Sequence, residues 1–133
     1  MANPNIVNVT SIIGNSLSVA VLTTATQLAS NAASSGKVFK INSIVIANID
    51  GTAAADITVN IYSAAALGGT PIAIASTISV PADASLIVTD KTTTFYLLEN
   101  QSIGALASAA PTFQASSGIT AGKSIAFAMI FGF

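Results

Sequence analysis

The sequence predicts an all-β fold, an antiparallel β-sandwich of jelly-roll or Ig-like type with about 8–10 short strands. Three observations carry this. Ile, Val and Thr are abundant and fall in short runs where apolar and polar residues alternate. Gly, Pro, Asn, Asp and Ser punctuate the runs. The runs recur at roughly 8–12 residue spacing, as strands of a sandwich do.

In chain order, residues 6–13 and 17–23 are the first predicted strands, divided at Gly14-Asn15. Residues 27–36 are small and polar and are expected to form a loop. Residues 1–30 are therefore either an N-terminal arm packed on a neighbour or an edge hairpin of the same sandwich. Along residues 37–49, Phe39, Ile41, Val45 and Ile49 share one side. Lys40, Asn42 and Asn48 share the other, joined there by Ile44 and Ile46, so this strand is expected to be buried on both sides along its middle. Asp50-Gly51 makes a tight turn.

Ile57, Val59 and Ile61 alternate with Thr58, Asn60 and Tyr62. Ile72, Ile74, Ile78 and Val80 share a face. The alanine clusters at 53–55 and 64–66 sit beside Gly51 and Gly68-Gly69 and lack charged i,i+4 partners, so both are expected in loops rather than helices. Residues 86–89, 95–99 and 103–108 complete the middle of the chain as strands. After a break at Ala121-Gly122, the clearest alternation comes last. Ile125, Phe127, Met129, Phe131 and Phe133 interleave with Ser124, Ala126, Ala128, Ile130 and Gly132. No internal repeat is visible, and residues 1–133 are expected to form a single sandwich domain.

Charge separates this chain from most functional classes. Only 7% of its 133 residues are charged, as four Lys and five acids, against roughly 25% in an average domain. It has no His, Cys, Trp or Arg. A His-based triad, a thiolate nucleophile and an ordinary zinc, haem or iron–sulfur site are thereby excluded. There is no Arg clamp for phosphate and no basic field for nucleic acid. Asp50 and Asp56 flank one loop, but two carboxylates among alanines fall short of the about six to eight oxygens Ca²⁺ requires. Asp90-Lys91 is a solvated turn pair. No nucleophile-elbow or phosphate-loop pattern occurs. The expectation is a non-enzymatic protein with no catalytic residues, no cofactor and no metal. The N-terminus shows no signal-peptide pattern, and no run approaches the roughly 20 apolar residues of a membrane span.

What remains is a neutral exterior of Ser, Thr, Asn, Gly and Ala. A free domain usually stays soluble through about 25–35% charged surface, so this exterior is expected to meet other protein. Ile130, Phe131 and Phe133, with Tyr62 and Tyr96, are the candidate interface residues. For the two phenylalanines the core comes ahead of an interface, since the alternation runs unbroken into them.

Four stretches also carry a resemblance: NAASSGKVFKINSIVIANIDGT (31–52), AADITVNIY (54–62), ISVPADASL (78–86) and FYLLENQS (95–102). Together they make residues 5–108 resemble small virion structural proteins of tailed bacteriophages, including those of marine cyanophages. The resemblance implies an all-β particle component assembled in the host cytoplasm. A capsid decoration, or cement, protein is the leading expectation. It would be a homo-oligomer, expected to be a trimer, bound to the major capsid protein or other virion proteins. A tail, neck or baseplate component is the alternative, and a small glycan- or ligand-binding sandwich the second.

Overall fold

The computed structural model describes residues 12–109 and 113–122. Among these residues there are nine strands and no helix. The strands are β1 (Ile12–Val21), β2 (Thr26–Asn31), β3 (Val38–Asn48), β4 (Ala55–Ala64), β5 (Gly68–Val80), β6 (Ser85–Thr89), β7 (Phe95–Leu97), β8 (Gln101–Ala107) and β9 (Phe113–Gly122). One sheet runs β1-β9-β3-β6, with β7 also on β3, and the other runs β2-β8-β4-β5. Every pairing is antiparallel. The pairs nest around the β4–β5 hairpin: β3 with β6 and β7, then β2 with β8, then β1 with β9. That nesting, divided between two sheets, is the jelly-roll arrangement of the sandwich.

The inner faces follow the period of two. Ile57 and Val59 of β4, Ile103 and Ala105 of β8, and Ile44 and Ile46 of β3 are all at or near zero exposure. Phe113 is the largest fully buried side chain, opposite Val21 on one neighbour and Asn48 on the other. Leu28, Leu97, Val80 and Ala115 belong to the same cluster.

Several expectations need correction. The predicted loop at 27–36 contains most of β2, whose Leu28 and Ala29 are core residues. Gly14-Asn15 does not break the first strand, because both residues pair with β9, at Thr120 and Ile119. Residues 113–122, for which the sequence offered no strand, form the central strand of their sheet. Along β3 the alternation changes phase at a register shift between Ile41 and Ser43. Phe39 and Ile41 before the bulge therefore share the core side with Ile44, Ile46 and Asn48 beyond it. The inner face is one face throughout. Ala55 and Ala64 are the ends of β4 rather than loop residues, while Ala65, Ala66 and Leu67 make the turn.

Turn chemistry fits the remaining breaks. Asp83 and Asn100 adopt positive φ, which short polar side chains tolerate best. Gly69 is also at positive φ, and a Cβ there would collide with the Ser63 hydroxyl, so only glycine fits. The predicted last strand, with Ile130, Phe131 and Phe133, lies outside the described residues, as does the stretch before Ile12.

Candidate interaction surface

The carboxylates singled out in the sequence are used locally. The Asp50 carboxylate accepts hydrogen bonds from the Thr52 N–H (2.8 Å), the Thr52 hydroxyl (2.8 Å) and the Ala53 N–H (3.2 Å). Asp90 does the same with the Thr92 hydroxyl (2.6 Å) and N–H (2.9 Å). Both are Asx turns that hold their own loops. At Asp56 it is the backbone that pairs, its N–H with the Ser108 hydroxyl and its carbonyl with the Ser108 N–H. Among the described residues no three His, Cys, Asp or Glu side chains gather as metal ligands would. A shallow cleft of about 200 Å³ lies against Ser18, Val19, Ala20 and Gln114. Among the described residues it has no charged lining, and it is smaller than the roughly 300–1,000 Å³ of usual ligand pockets.

The turn hydrogen bonds fix the pH response. At Asp50 the Thr52 N–H, then the Thr52 hydroxyl, hold the carboxyl below its usual 3.8. At Asp90 the Thr92 hydroxyl, then the Thr92 N–H, do so. A folded-state pKa below the unfolded value adds stability above that value, and the stability is lost as pH falls through the folded pKa. With no histidine in the chain, the melting temperature should be flat between about pH 5 and 8. It should fall only below about pH 4, and modestly, because both groups are exposed. Melting curves across pH 3–8 check this, and a step near pH 6.5 would contradict it.

Apolar surface is the conspicuous feature. β5 is an edge strand, exposed at most positions up to Val80. Ile72 is 65% exposed, and Ile74 and Ile78 are about 40% exposed. Ile87 on β6 is 61% exposed. These isoleucines follow the sequence alternation, but their face is covered only at the Val80 end.

The outer face of the β1-β9-β3-β6 sheet is the second surface. Register sets out two rows across it: Ala20, Gln114, Ala47 and Ser85, then Ser18, Ser116, Val45 and Ile87. None of the eight is charged and most are small. Lys40, on the same sheet opposite Tyr96 and Thr120, is buried.

The two tyrosines part company. Tyr96 is 37% exposed, and the partial burial of its ring raises its phenol above the usual 10. Tyr62 is buried on the outer side of its sheet. Its ring covers Gly104, where an added Cβ would sit 3.1 Å from Tyr62 Cε2 and 2.7 Å from Leu67 Cδ2. The sequence grouping also left out Ile87 and the Ser/Ala rows. Their only signal was the lack of charge along β1, β6 and β9 and along β3 after Lys40.

No protein-family model matches the chain, and no curated protein matches it. Among solved structures, a chain of the Bacillus endospore appendages, described as a family of disulfide-linked pili, is 18% identical over 84% of this chain and 86% of its own, with a TM-score of 0.47. A chain of the T13 infectious bursal disease virus (IBDV) particle is 12% identical over 84% of this chain, which spans only 30% of it, with a TM-score of 0.45. A pentameric capsid protein from metagenomic phage sequences is 15% identical over 82% of this chain and 62% of its own, with a TM-score of 0.37. At these identities, function has to be argued from the surface of this chain itself.

Proposed function

We propose that this protein is a non-enzymatic structural component of a bacteriophage virion, acting as a capsid decoration protein that self-associates and cements the shell. The observation that carries this is the pair of uncharged rows on the outer face of the β1-β9-β3-β6 sheet, set beside exposed isoleucines on β5 and β6. Such a surface gains by drying against another protein, because it gives up little charge hydration. The resemblance of residues 5–108 to phage virion proteins supplies the partner, the major capsid protein. Jelly rolls recur in capsid domains, which supports the reading by analogy.

The mechanism is mechanical. At about 25 cal/mol per Å² of apolar area, a few hundred Å² at each junction contributes several kcal/mol before association costs. Repetition over a lattice makes weak contacts collectively strong. With few charges to screen, binding should depend little on salt. Purified protein added to undecorated shells should therefore co-sediment with them at both low and high ionic strength. Failure to bind shells, together with co-purification with tails, would move the assignment to the tail, neck or baseplate. Binding abolished by high salt would contradict the apolar mechanism.

A further inference from the structure

The β4–β5 turn is built from residues that its backbone shape disfavours. The Gly68 N–H donates to the Ala65 carbonyl (3.1 Å), and the two residues between them, Ala66 and Leu67, have φ of 55° and 61°. Two successive positive φ values mark a type I′ turn, whose usual pair is Asn-Gly. Alanine and leucine are strained there, because the Cβ crowds the backbone. Strain of this kind persists only where the surroundings impose it. Here three side chains do. The N–H groups of Ala65, Ala66 and Leu67 donate in turn to Asn100 Oδ1 (3.1 Å), Ser30 Oγ (2.9 Å) and Ser102 Oγ (2.8 Å). Ser102, fully buried, also donates to the Ala64 carbonyl (2.7 Å). These anchors stand on β2, on β8 and in the turn between β7 and β8. The turn therefore folds back across its own sheet. Ser30, Ser102 and Tyr62 form one row across β2, β8 and β4. Leu67 lies over Gly104, next to the Tyr62 ring.

We propose that residues 64–68 are a strap that lifts and closes as one unit over Tyr62 and Gly104 while both sheets stay folded. The closed form stores strain at Ala66 and Leu67, and lifting releases it. The anchors are neutral side-chain oxygens, and water can take over their hydrogen bonds once the turn is out. Ala66 is exposed and Leu67 only half-buried, so opening gives up little apolar burial. Few ladder bonds are at stake. The register of β4 on β8 ends at Tyr62, and on β5 only the Ala64–Gly68 pair lies beyond Tyr62. Two things keep the strap shut. Leu67 fills the dimple that Gly104 leaves beside the Tyr62 ring. The three N–H bonds belong to consecutive residues of one turn, so they form and break together. Ser102 couples its two ends, accepting from Leu67 and donating to Ala64. Lifting the strap bares the Tyr62 ring, which the closed form keeps buried. The device does not depend on the virion reading.

Amide hydrogen exchange of the full chain in low urea reads the motion. The amides of Ala65, Ala66 and Leu67 should share one protection factor, about a hundredfold or more below that of the β3 amides, and low urea should barely change it. Ser102→Ala should lower the protection of all three by about tenfold, the worth of one hydrogen bond, and leave β3 unchanged. Ala66→Gly relieves the strained φ and should raise the protection of all three, a gain that damage to the fold does not produce. The chain has two tyrosines, and nitration reports the same opening. Tyr62 should react more slowly than Tyr96 in the wild type, faster in Ser102→Ala and more slowly still in Ala66→Gly. Three amides that exchange independently, a urea dependence equal to that of β3, or a Ser102→Ala effect confined to the Leu67 amide would overturn the proposal. If Ser102→Ala does not fold, Ala66→Gly decides alone, and unchanged protection in it overturns the strap.

Discussion

Replacing Phe113 with alanine should cost about 3–5 kcal/mol of folding stability, the largest effect expected from a single core truncation here. Phe113 is 1% exposed and begins β9, the strand between β1 and β3. Its ring sits where Val21 and Asn48 face it from the two neighbouring strands. Truncation removes the ring from the shared cluster and leaves a cavity that three strands cannot collapse without breaking their ladders. Since domains of this size hold about 5–15 kcal/mol in total, the variant should be close to unfolding at physiological temperature. Urea denaturation checks this, with a fall in midpoint at unchanged slope as the expected result. Phe113→Leu keeps most of the volume and should cost less than about 1.5 kcal/mol. Equal losses for the two substitutions would mean that ring shape, not filled volume, holds the site.

That Phe113 is a core anchor was not legible in the sequence, and the reason is physical. A central strand is supported by ladders on both sides, so it does not need a bulky alternating face of its own. β9 carries Ala115, Ser117 and Gly118 where an edge strand would show Ile or Val, and pattern reading passes over it. β2, an edge strand, was hidden by its composition, with Leu28 as its only large apolar residue. β4 and β5 were legible because their Ile and Val residues alternate, and β6 and β8 as short apolar runs bounded by turn residues. β3 was legible as a strand but not in its facing, since one bulged residue inverts every side chain beyond it. Only part of the surface could be read. The absence of charge predicted a neutral exterior, and the outer face has one. Which tyrosine stayed at that exterior depended on Gly104, a cross-strand neighbour that makes room for one ring. Single-strand patterns do not encode such pairings.

Asn48→Ala should be the most damaging polar substitution, at about 2–4 kcal/mol. The sequence pattern put Asn48 on the side of β3 away from Phe39. The structure buries it at the end of β3, at 2% exposure. Its Nδ2 donates to the carbonyls of Ala53 (3.1 Å), Val80 (3.0 Å) and Pro81 (3.1 Å). Its Oδ1 accepts from the Asp50 N–H (3.0 Å). Two amide hydrogens serve three carbonyls, so at least one is shared. One side chain thus ties β3 to the loop before β4 and to the β5–β6 turn, which is also closed by the Asp83 N–H donating to the Asp50 carbonyl. Alanine removes the one donor group shared by three carbonyls, of which that of Val80 is buried, and that is where most of the cost arises. Asn48→Asp separates this account from simple loss of packing, because it keeps the shape and removes the donors. An ionised carboxylate facing three carbonyl oxygens should be at least as destabilising as alanine at pH 7. Part of that loss should return in acid, where the protonated form donates once. Equilibrium denaturation of the three proteins at pH 7 and pH 4 reads the difference. If Asn48→Asp were as stable as wild type at pH 7, the fan of hydrogen bonds would not be what holds these loops together.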